Sequence, residues 1–325
     1  MLKLSCNFCK KIVRILILSS RMIPEEIYWI KRCVSYNSMS KTKEAFLHDL
    51  MVSSHVLEKG ITMPKRRLGF GFARIREILK KCDLAIMNFG ADSIEIQSTL
   101  NDIEEYDRIH KQYKFQLPND IQKSIDKLLE YRLSKKNIFS LQFTPEQFFH
   151  NCESFSEFAQ SRHTCRHYSN KNIEIERIRK CIRIAQTAPS ACNRQSTFVY
   201  IIASEEGKSI VRKYQNGSRG FGEFADKFLL ITTEQYAWDI RQEKSGFIDA
   251  GIFTMNLLYA LHEEHICACT LNAHLYRKDM KKFHKELKIN ESHYPVLFIA
   301  LGEPTEQFLI ARSERLNLND ICKTL

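Results

Sequence analysis

Several features that would place this sequence in a common class of protein are missing from it. Its N-terminal apolar stretch, Ile12 to Leu18, is too short to span a bilayer, is interrupted by Arg14 and leads to no clear signal-peptide cleavage site. The chain also lacks a compact run of Arg and Lys interleaved with aromatic residues, which a nucleic-acid platform would need. We therefore expect no transmembrane segment and no nucleic-acid partner, and we assign the apolar stretch to the protein's own core.

Signatures of common catalytic and nucleotide-binding sites are missing as well. The sequence offers no Ser/His/Asp or Cys/His arrangement and no pair of carboxylates suited to acid–base chemistry. The Gly-rich stretch Asn216 to Gly222 has neither the ending of a Walker A loop nor the strand–GxGxxG–helix context of a dinucleotide fold. Two interpretations of this stretch stay open: a mobile loop beside a substrate and a plain surface turn.

The cysteines do not have the pattern of a disulfide framework. There are 11 of them, an odd number, and Cys181, Cys267 and Cys269 lie inside apolar periodic segments. This pattern is typical of buried free thiols in a reducing compartment, so we expect a cytoplasmic protein. Cys6-x-x-Cys9 has no second pair at zinc-site spacing, and no metal centre is expected there.

Length and composition predict a globular protein with an excess of base. With 325 residues, of which 44% are apolar and 11% aromatic, the chain can bury one large core or two modest ones. A net charge of +11 suits nucleic acid, a membrane surface, an anionic ligand or simple solubility. The compact stretch Lys65-Arg66-Arg67, followed by Gly69-Phe70-Gly71, is either an anion-binding feature or a helix end with solvated charges.

The spacing of apolar residues divides the chain into two regions. Residues 1–150 are predicted to be mostly α-helical, and the passage Ser134 to Asn137 with Thr144-Pro145 marks the boundary. From residue 170 helical and strand-like patterns alternate, which predicts an α+β domain over residues 151–325. Helices are predicted at 25–34, 43–57, 74–87, 119–133, 205–214, 246–262 and 277–287, with another capped by Asn170 or Asn172, and strands at 198–203, 228–233, 267–271 and 295–301.

The stretch from Ala185 to Ile202 combines a helix end, a polar turn and a buried strand. Pro189 stops the helix because proline has no N–H to donate, and Phe198 to Ile202 is an apolar run of strand length. The turn between them is rich in small and amide side chains. Such turns commonly bind a ligand in α/β proteins, and an ordinary helix-to-strand connection is the alternative.

Other motifs accompany this turn in a fixed order. Ser161 to Ser169, a basic segment, precedes it, and Asp249-Ala250-Gly251, Cys267 to Leu271 and Gly302-Glu303-Pro304 follow it. In this order and at these spacings the set resembles the nitroreductase-like family of FMN-dependent oxidoreductases over residues 155–322. The resemblance implies an α+β fold with a mixed β-sheet flanked by helices, and it makes residues 1–150 a helical extension of unknown role.

The resemblance also implies a basic site for the FMN phosphate and ribityl chain. Guanidinium groups bind phosphate bidentately, and a hydroxyl adds a directional donor. A basic helix face is the alternative interpretation. The residues assigned to this part of the site are Arg162, His163, Thr164 and Arg166, completed by Arg312 and Arg315 near the C-terminus.

A second part of the implied site is the turn after the helix. In the family this turn contacts the flavin that the partner subunit holds, and its amides and hydroxyls orient the ring. Pro189, Ser190 and Ala191 are assigned to that contact, with Asn193 and Gln195 beside them. Three further candidate flavin ligands are Asn216, Cys269 and Thr270.

Two segments further along the chain bear on this assignment. Cysteines stand at 267 and 269 where the family has glycines, and we expect their side chains on opposite faces of a strand, which argues against a shared metal ion. The predicted helix at 246–262 is apolar on nearly every side, as expected of a helix in a core or an interface. In the family the corresponding helix lies in a homodimer interface.

The activity implied by the resemblance is the reduction of an electron-poor small molecule, such as a nitroaromatic or a quinone, by NAD(P)H. FMN would be the cofactor and the kinetic order ping-pong. Two other interpretations stay open. One is a flavin dehydrogenase or dehalogenase specialised for one metabolite, and the other is a non-catalytic binding or scaffold protein with a degenerate flavin site.

Overall fold

The computed structural model describes residues 43–133, 140–150, 152–238 and 243–325, together with residues 13, 16, 19, 20 and 23. The predicted helix at 25–34 and the Cys6-x-x-Cys9 pair lie outside these residues. The chain divides into two compact units. The helical unit comprises Met1–Glu58, Leu68–Asn137 and Ser313–Leu325, and the sheet unit comprises Lys59–Arg67 and Ile138–Arg312. The predicted domain boundary at residue 150 stays a prediction.

The helical unit contains the helices α1 (Lys43–Ile61), α2 (Phe72–Phe89), α3 (Ile94–Gln112) and α4 (Asn119–Leu129). Isoleucines at helical spacing, among them Ile78, Ile103 and Ile125, are fully buried between α2, α3 and α4. The mostly helical character predicted for this region is confirmed. The C-terminal tail belongs to the same unit, because Ser313 donates to Glu58 Oε1 from its backbone N–H at 3.1 Å and from its hydroxyl at 2.9 Å.

The sheet unit is built around a four-stranded antiparallel sheet. Its strands are β2 (Thr197–Ile202), β3 (Lys227–Glu234), β4 (Cys267–Asn272) and β5 (His293–Gly302), in the order β2-β3-β5-β4. A two-stranded antiparallel sheet pairs β1 (Ser140–Phe143) with β6 (Phe308–Ala311). The helices are α5 (Pro145–Phe148), α6 (Phe155–Ser161), α7 (Ile175–Ala185), α8 (Glu205–Tyr214), α9 (Glu243–Glu263) and α10 (Arg277–Leu287), and α11 (Leu318–Ile321) follows in the C-terminal tail.

Both faces of the larger sheet are covered by apolar side chains. On β3, Phe228 and Leu230 join one apolar cluster with α8 and α10, whereas Leu229 and Ile231 join a second cluster with α7 and α9. Alternating residues of a strand point to opposite faces, so a strand buried on both sides has a continuous apolar sequence. The predicted strand at 228–233 is confirmed for this reason.

The predicted α+β class is confirmed, with three differences in detail. All strand pairs among the described residues are antiparallel, whereas the resemblance implied a mixed sheet. The small sheet of β1 and β6 was not predicted, because its four-residue strands lie far apart in the sequence. The predicted cap at Asn170 or Asn172 is wrong: Glu174 precedes α7 without a side-chain cap, and Asn172 Oδ1 accepts from Lys227 Nζ at 2.8 Å instead.

In the described part of the chain, no helix combines the length and the apolar character needed to cross a membrane.

Candidate functional site

The turn after α7 has an unusual backbone. Cys192, Asn193 and Gln195 adopt positive φ angles of 52°, 52° and 49°. Asparagine tolerates this left-handed region, whereas residues such as Cys192 and Gln195 are disfavoured in it by on the order of 1 kcal/mol each. The conformation therefore has to be held by contacts of the turn.

Two sets of hydrogen bonds hold this turn. Ser190 Oγ accepts from the Gln195 N–H at 3.1 Å, and the Gln195 side-chain amide donates to Asn193 Oδ1 at 3.2 Å. From helix α9, the buried carboxylate of Asp249 accepts the Ala191 N–H with both oxygens, at 3.2 and 3.1 Å. The turn is thus fixed both internally and by the neighbouring helix.

A cavity of about 300 Å³ opens beside this turn. This volume lies at the lower end of the range of about 300–1,000 Å³ found for ligand pockets. Apolar walls come from α7, β2 and α9, and the turn adds a few polar groups. Pro189, Ser190 and Gln195, three of the five predicted turn residues, line the cavity, together with Ile182, Gln186, Ala188, Thr197, Phe198, Val199, Asp249 and Phe253.

The basic segment, Ser161 to Ser169, runs along the β4–β5 side of the same unit. The Cys165 N–H donates to the Ala268 carbonyl at 3.1 Å, and the Tyr168 hydroxyl donates to the Cys165 and Ala300 carbonyls, both at 3.1 Å. Tyr168 also forms a β-bridge with Pro304. The segment before the turn and the Gly302-Glu303-Pro304 motif, far apart in sequence, therefore meet in the structure.

Arg162 and His163, at the start of the basic segment, lie near His262 of α9. Ser161 Oγ is 2.9 Å from His262 Nε2. Burial, followed by the positive charge of Arg162 and of neighbouring histidines including His163, lowers the pKa of His262 from 6.5 to about 4. His262 is therefore neutral at pH 7, whereas Arg162 carries a positive charge at this end of the segment.

Arg166, at the other end, lies beside a different set of groups. Its guanidinium carbon is 5.9 Å from the centre of the fully buried Phe221 ring. The Nε atom of Arg166 is buried and has no hydrogen-bond partner among the described residues. Burial raises the pKa of the nearby Cys269 thiol, and the charge of Arg166 lowers it in part. Both chemistry and position make Arg166 a candidate anion ligand.

Strand β4 turns its two cysteines inward. Cys267 and Cys269 are each 1% exposed and belong to the same apolar cluster, whereas Thr270 is exposed. The expectation that the two cysteines face opposite sides is wrong, because residues two apart on a strand share a face. Burial raises the pKa of both thiols, so they act as small apolar side chains at neutral pH.

The remaining predicted residues are more dispersed. Asn216 is exposed in a short turn, where its Oδ1 accepts from Arg219 Nη2 at 2.8 Å. Arg312 is exposed at the end of the sheet unit. Arg315 lies in the helical unit, where its guanidinium donates to the Ser313 carbonyl at 2.6 Å.

Two residues that contribute to these arrangements were not predicted as site residues. Asp249 fixes the turn, and its signal in the sequence was the Asp-Ala-Gly motif. Lys59 lies over the Phe221 ring near Arg166. No local feature of the sequence marked Lys59 as a site residue.

Part of the chain matches a known protein family, and one characterised protein is similar in sequence over about half of it. Residues 159–235 match the family model described as the nitroreductase family. Iodotyrosine deiodinase of Haliscomenobacter hydrossis is 25% identical over 203 residues, which cover 54% of this chain and 90% of that protein.

Solved structures of low sequence identity are also similar over about half of the chain. A protein assigned as an NADH dehydrogenase/NAD(P)H nitroreductase from Parabacteroides distasonis is 20% identical, with a TM-score of 0.46, over 52% of this chain and 96% of its own. A protein assigned as a nitroreductase from Exiguobacterium sibiricum, in complex with FMN, is 17% identical, with a TM-score of 0.45, over 54% of this chain and 99% of its own. The resemblance seen in the motifs agrees with the match to the nitroreductase family at residues 159–235.

Proposed function

We propose that this chain is an FMN-dependent oxidoreductase that uses NAD(P)H, in ping-pong order, to reduce an electron-poor small molecule such as a nitroaromatic or a quinone. The observation that carries the proposal is the cavity beside the Pro189 turn, most of whose lining lies within residues 159–235, the stretch that matches the nitroreductase family. Its apolar walls and few convergent polar groups are typical of a site that binds and orients a planar cofactor.

The residues present fit FMN in two respects. The cavity suits a flat apolar ring, with Ser190 and Gln195 as polar groups at its edge. The buried Nε of Arg166 has no partner among the described residues and suits an anion such as the FMN phosphate. When bound, FMN would supply the redox chemistry, and the chain's own residues would bind it, orient it and exclude water.

The proposal includes a homodimer. Helix α9 exposes large apolar side chains: Phe247 is 42%, Ile248 61% and Ile252 41% exposed. Apolar residues exposed along one helix are typical of a surface that another protein covers. We assign that surface to a second copy of the chain. In such a dimer the basic segment of one chain would hold the FMN phosphate, and the Pro189 turn of the other chain would contact the same flavin.

A cytoplasmic location and a division near residue 150 belong to the same proposal. All eight cysteines in the described part of the chain are free thiols, which favours a reducing compartment. The helical character of α1 to α4, against the mixed helices and strands that follow, supports the division.

A dehalogenase is the second candidate function, and the similarity to iodotyrosine deiodinase favours it. Both functions would use the same flavin site, so they differ in the molecule reduced. Steady-state kinetics separates them. Reduction of a nitroaromatic or a quinone supports the first function if plots of reciprocal rate against reciprocal NAD(P)H concentration are parallel at different acceptor concentrations. Halide release from a halogenated phenol, with neither acceptor reduced, supports the second.

A further inference from the structure

The positive charge of the chain is concentrated in short parts of its sequence. Residues 277–288, which are helix α10 and the residue that follows it, contain six basic and two acidic residues and carry a net charge of +4. The whole chain of 325 residues carries +11, so this one helix holds more than a third of the excess. A helix with so basic a face is typical of one that contacts a negatively charged partner.

One side of α10 is fixed against the sheet unit. Phe283 and His284 are buried there. The Phe283 ring makes edge-to-face contacts with Tyr214 of α8 and Phe298 of β5, with the ring centres 5.4 and 6.0 Å apart. His284 Nε2 lies 3.1 Å from the His293 carbonyl oxygen. These contacts determine which face of the helix points to solvent.

The solvent side of α10 presents three exposed lysines that form no ion pair with any residue in the described part of the chain. They are Lys281, Lys285 and Lys288, at intervals of four and three residues, which places them on one face of the helix. We call these three residues the lysine face. Like charges at such intervals destabilise a helix. A negatively charged partner would remove this repulsion.

The two acidic residues of α10 are engaged elsewhere. Glu286 pairs with Lys213 of α8 at 3.0 Å and with Lys282 at 3.8 Å. The hydrogen bond from Lys213 lowers the pKa of Glu286, so this carboxylate is ionised at neutral pH and its charge is used within the α8–α10 layer. Asp279 lies in the first turn of α10, where a carboxylate interacts favourably with the helix dipole. Neither acid neutralises the lysine face.

The chemistry of the lysine face indicates the kind of partner it suits. It contains no arginine and no aromatic ring, the side chains that read nucleic acids and that anchor protein interfaces. Lysine is a compact charge on a flexible stem, so it requires no fixed geometry from its partner. A bilayer that contains anionic lipids presents a diffuse negative surface, and it attracts nearby lysines by charge alone.

We propose that the lysine face of α10 binds peripherally to a membrane surface that contains anionic phospholipids. Contact of this kind needs neither a membrane-spanning helix nor a lipid pocket. At physiological ionic strength, charges act over about 8 Å, so lysines exposed on one helix face can act together on the headgroups beneath them. The inference concerns a surface outside the flavin site and does not rest on the proposed redox function.

Sedimentation with lipid vesicles tests this surface. Full-length protein is mixed with vesicles of phosphatidylcholine alone or with about 30% phosphatidylserine, in about 0.1 M salt. We expect binding to the mixed vesicles alone, and a loss of that binding as the salt concentration is raised. Lys281→Gln combined with Lys285→Gln should weaken binding about 10- to 30-fold, because each lysine near such a surface contributes about a fivefold factor.

Two further double variants serve as controls. Lys123→Gln combined with Lys171→Gln removes two exposed lysines of other segments and lowers the net charge equally. It should bind the mixed vesicles within about twofold of the wild type, because charges far from the lysine face are screened. Lys281→Arg combined with Lys285→Arg keeps both charges and should bind as the wild type does. Native circular dichroism confirms that each variant is folded.

The outcomes decide the inference without reference to flavin. It is overturned if the wild type binds neither kind of vesicle, binds both kinds equally, or is weakened equally by the two double Gln variants. A wild type that binds a DNA duplex of arbitrary sequence and no vesicles would assign the lysine face to nucleic acid and overturn the inference as well. Because no flavin is added, failure here leaves the proposed oxidoreductase function unchanged.

Discussion

The Pro189 turn and the basic segment are organised in opposite ways. The turn is fixed in advance by hydrogen bonds from Ser190 and from the buried Asp249, and these hold three residues in the left-handed region. The basic segment is held by its backbone and by Tyr168, while the Nε of Arg166 stays without a partner among the described residues. The turn provides a preformed surface for a planar ring, and the basic segment provides positive charge for a phosphate. A planar cofactor that carries a phosphate requires both.

The largest expected effect comes from the position that anchors the basic segment. A Cβ atom on Gly302 would lie 2.5 Å from atoms of the Tyr168 side chain, so Gly302→Ala forces the ring or strand β5 to move. We expect the free energy of unfolding to fall by about 3 kcal/mol, as for a severe overpacking change, measured by urea denaturation. A variant as stable as the wild type would contradict the packing described.

Removing a positive charge from the basic segment should weaken FMN binding more than it lowers the free energy of unfolding. Arg162→Ala removes a charge-assisted partner of the phosphate, and we expect it to weaken FMN binding by on the order of 1.5–3 kcal/mol in a fluorescence titration. Arg179→Ala, which removes an exposed guanidinium paired with Glu176, is the control and should leave the affinity unchanged. Unchanged affinity in Arg162→Ala would remove Arg162 from the site.

The histidine near Arg162 predicts a pH dependence of stability. The folded pKa of His262 is about 4, against 6.5 for the free side chain, so the unfolded state binds more protons between these values. Stability should therefore decrease as the pH falls, by about 2 kcal/mol between pH 7 and pH 5 from this residue. His262→Gln should lose most of that component in urea denaturation at the two pH values. An equal slope in both proteins would show that His262 is not the titrating group.

The smallest expected effect tests the turn. Asp249→Asn keeps one acceptor for the Ala191 N–H but loses the second oxygen contact and the negative charge. We expect a loss of about 1 kcal/mol in the free energy of unfolding, from urea denaturation. Glu263→Gln, at an exposed position of the same helix, should change it little. If the two substitutions behave alike, Asp249 does not hold the turn.

Sequence patterns predicted the elements that depend on local burial. Strands β2 to β5 were found because apolar runs of strand length are visible without knowing their partners, and α9 because it is apolar on most sides. The small sheet of β1 and β6 was not found, because pairing across more than half the chain leaves no local signal. Candidate residues near the turn followed from the family motif, and three of them line the cavity.

Interactions between distant segments could not be predicted from the sequence. Nothing local in the stretch His55 to Gly60 indicates that Lys59 meets Arg166 over Phe221. The positive φ angles of Cys192 and Gln195 could not be predicted either, because these residue types rarely adopt them without tertiary support. The sequence therefore identified the motifs, and the fold determined which of them act together.

An absorbance spectrum of the purified protein, taken before and after adding FMN and then NAD(P)H under anaerobic conditions, tests the central claim most directly. We expect a protein-bound flavin band that bleaches when the reductant is added. A protein that remains colourless after FMN addition and removal of free flavin would contradict the flavin assignment, and the non-catalytic binding protein would become the better interpretation. A bound flavin that NAD(P)H does not bleach would contradict the reductase assignment alone and favour the specialised dehydrogenase or dehalogenase.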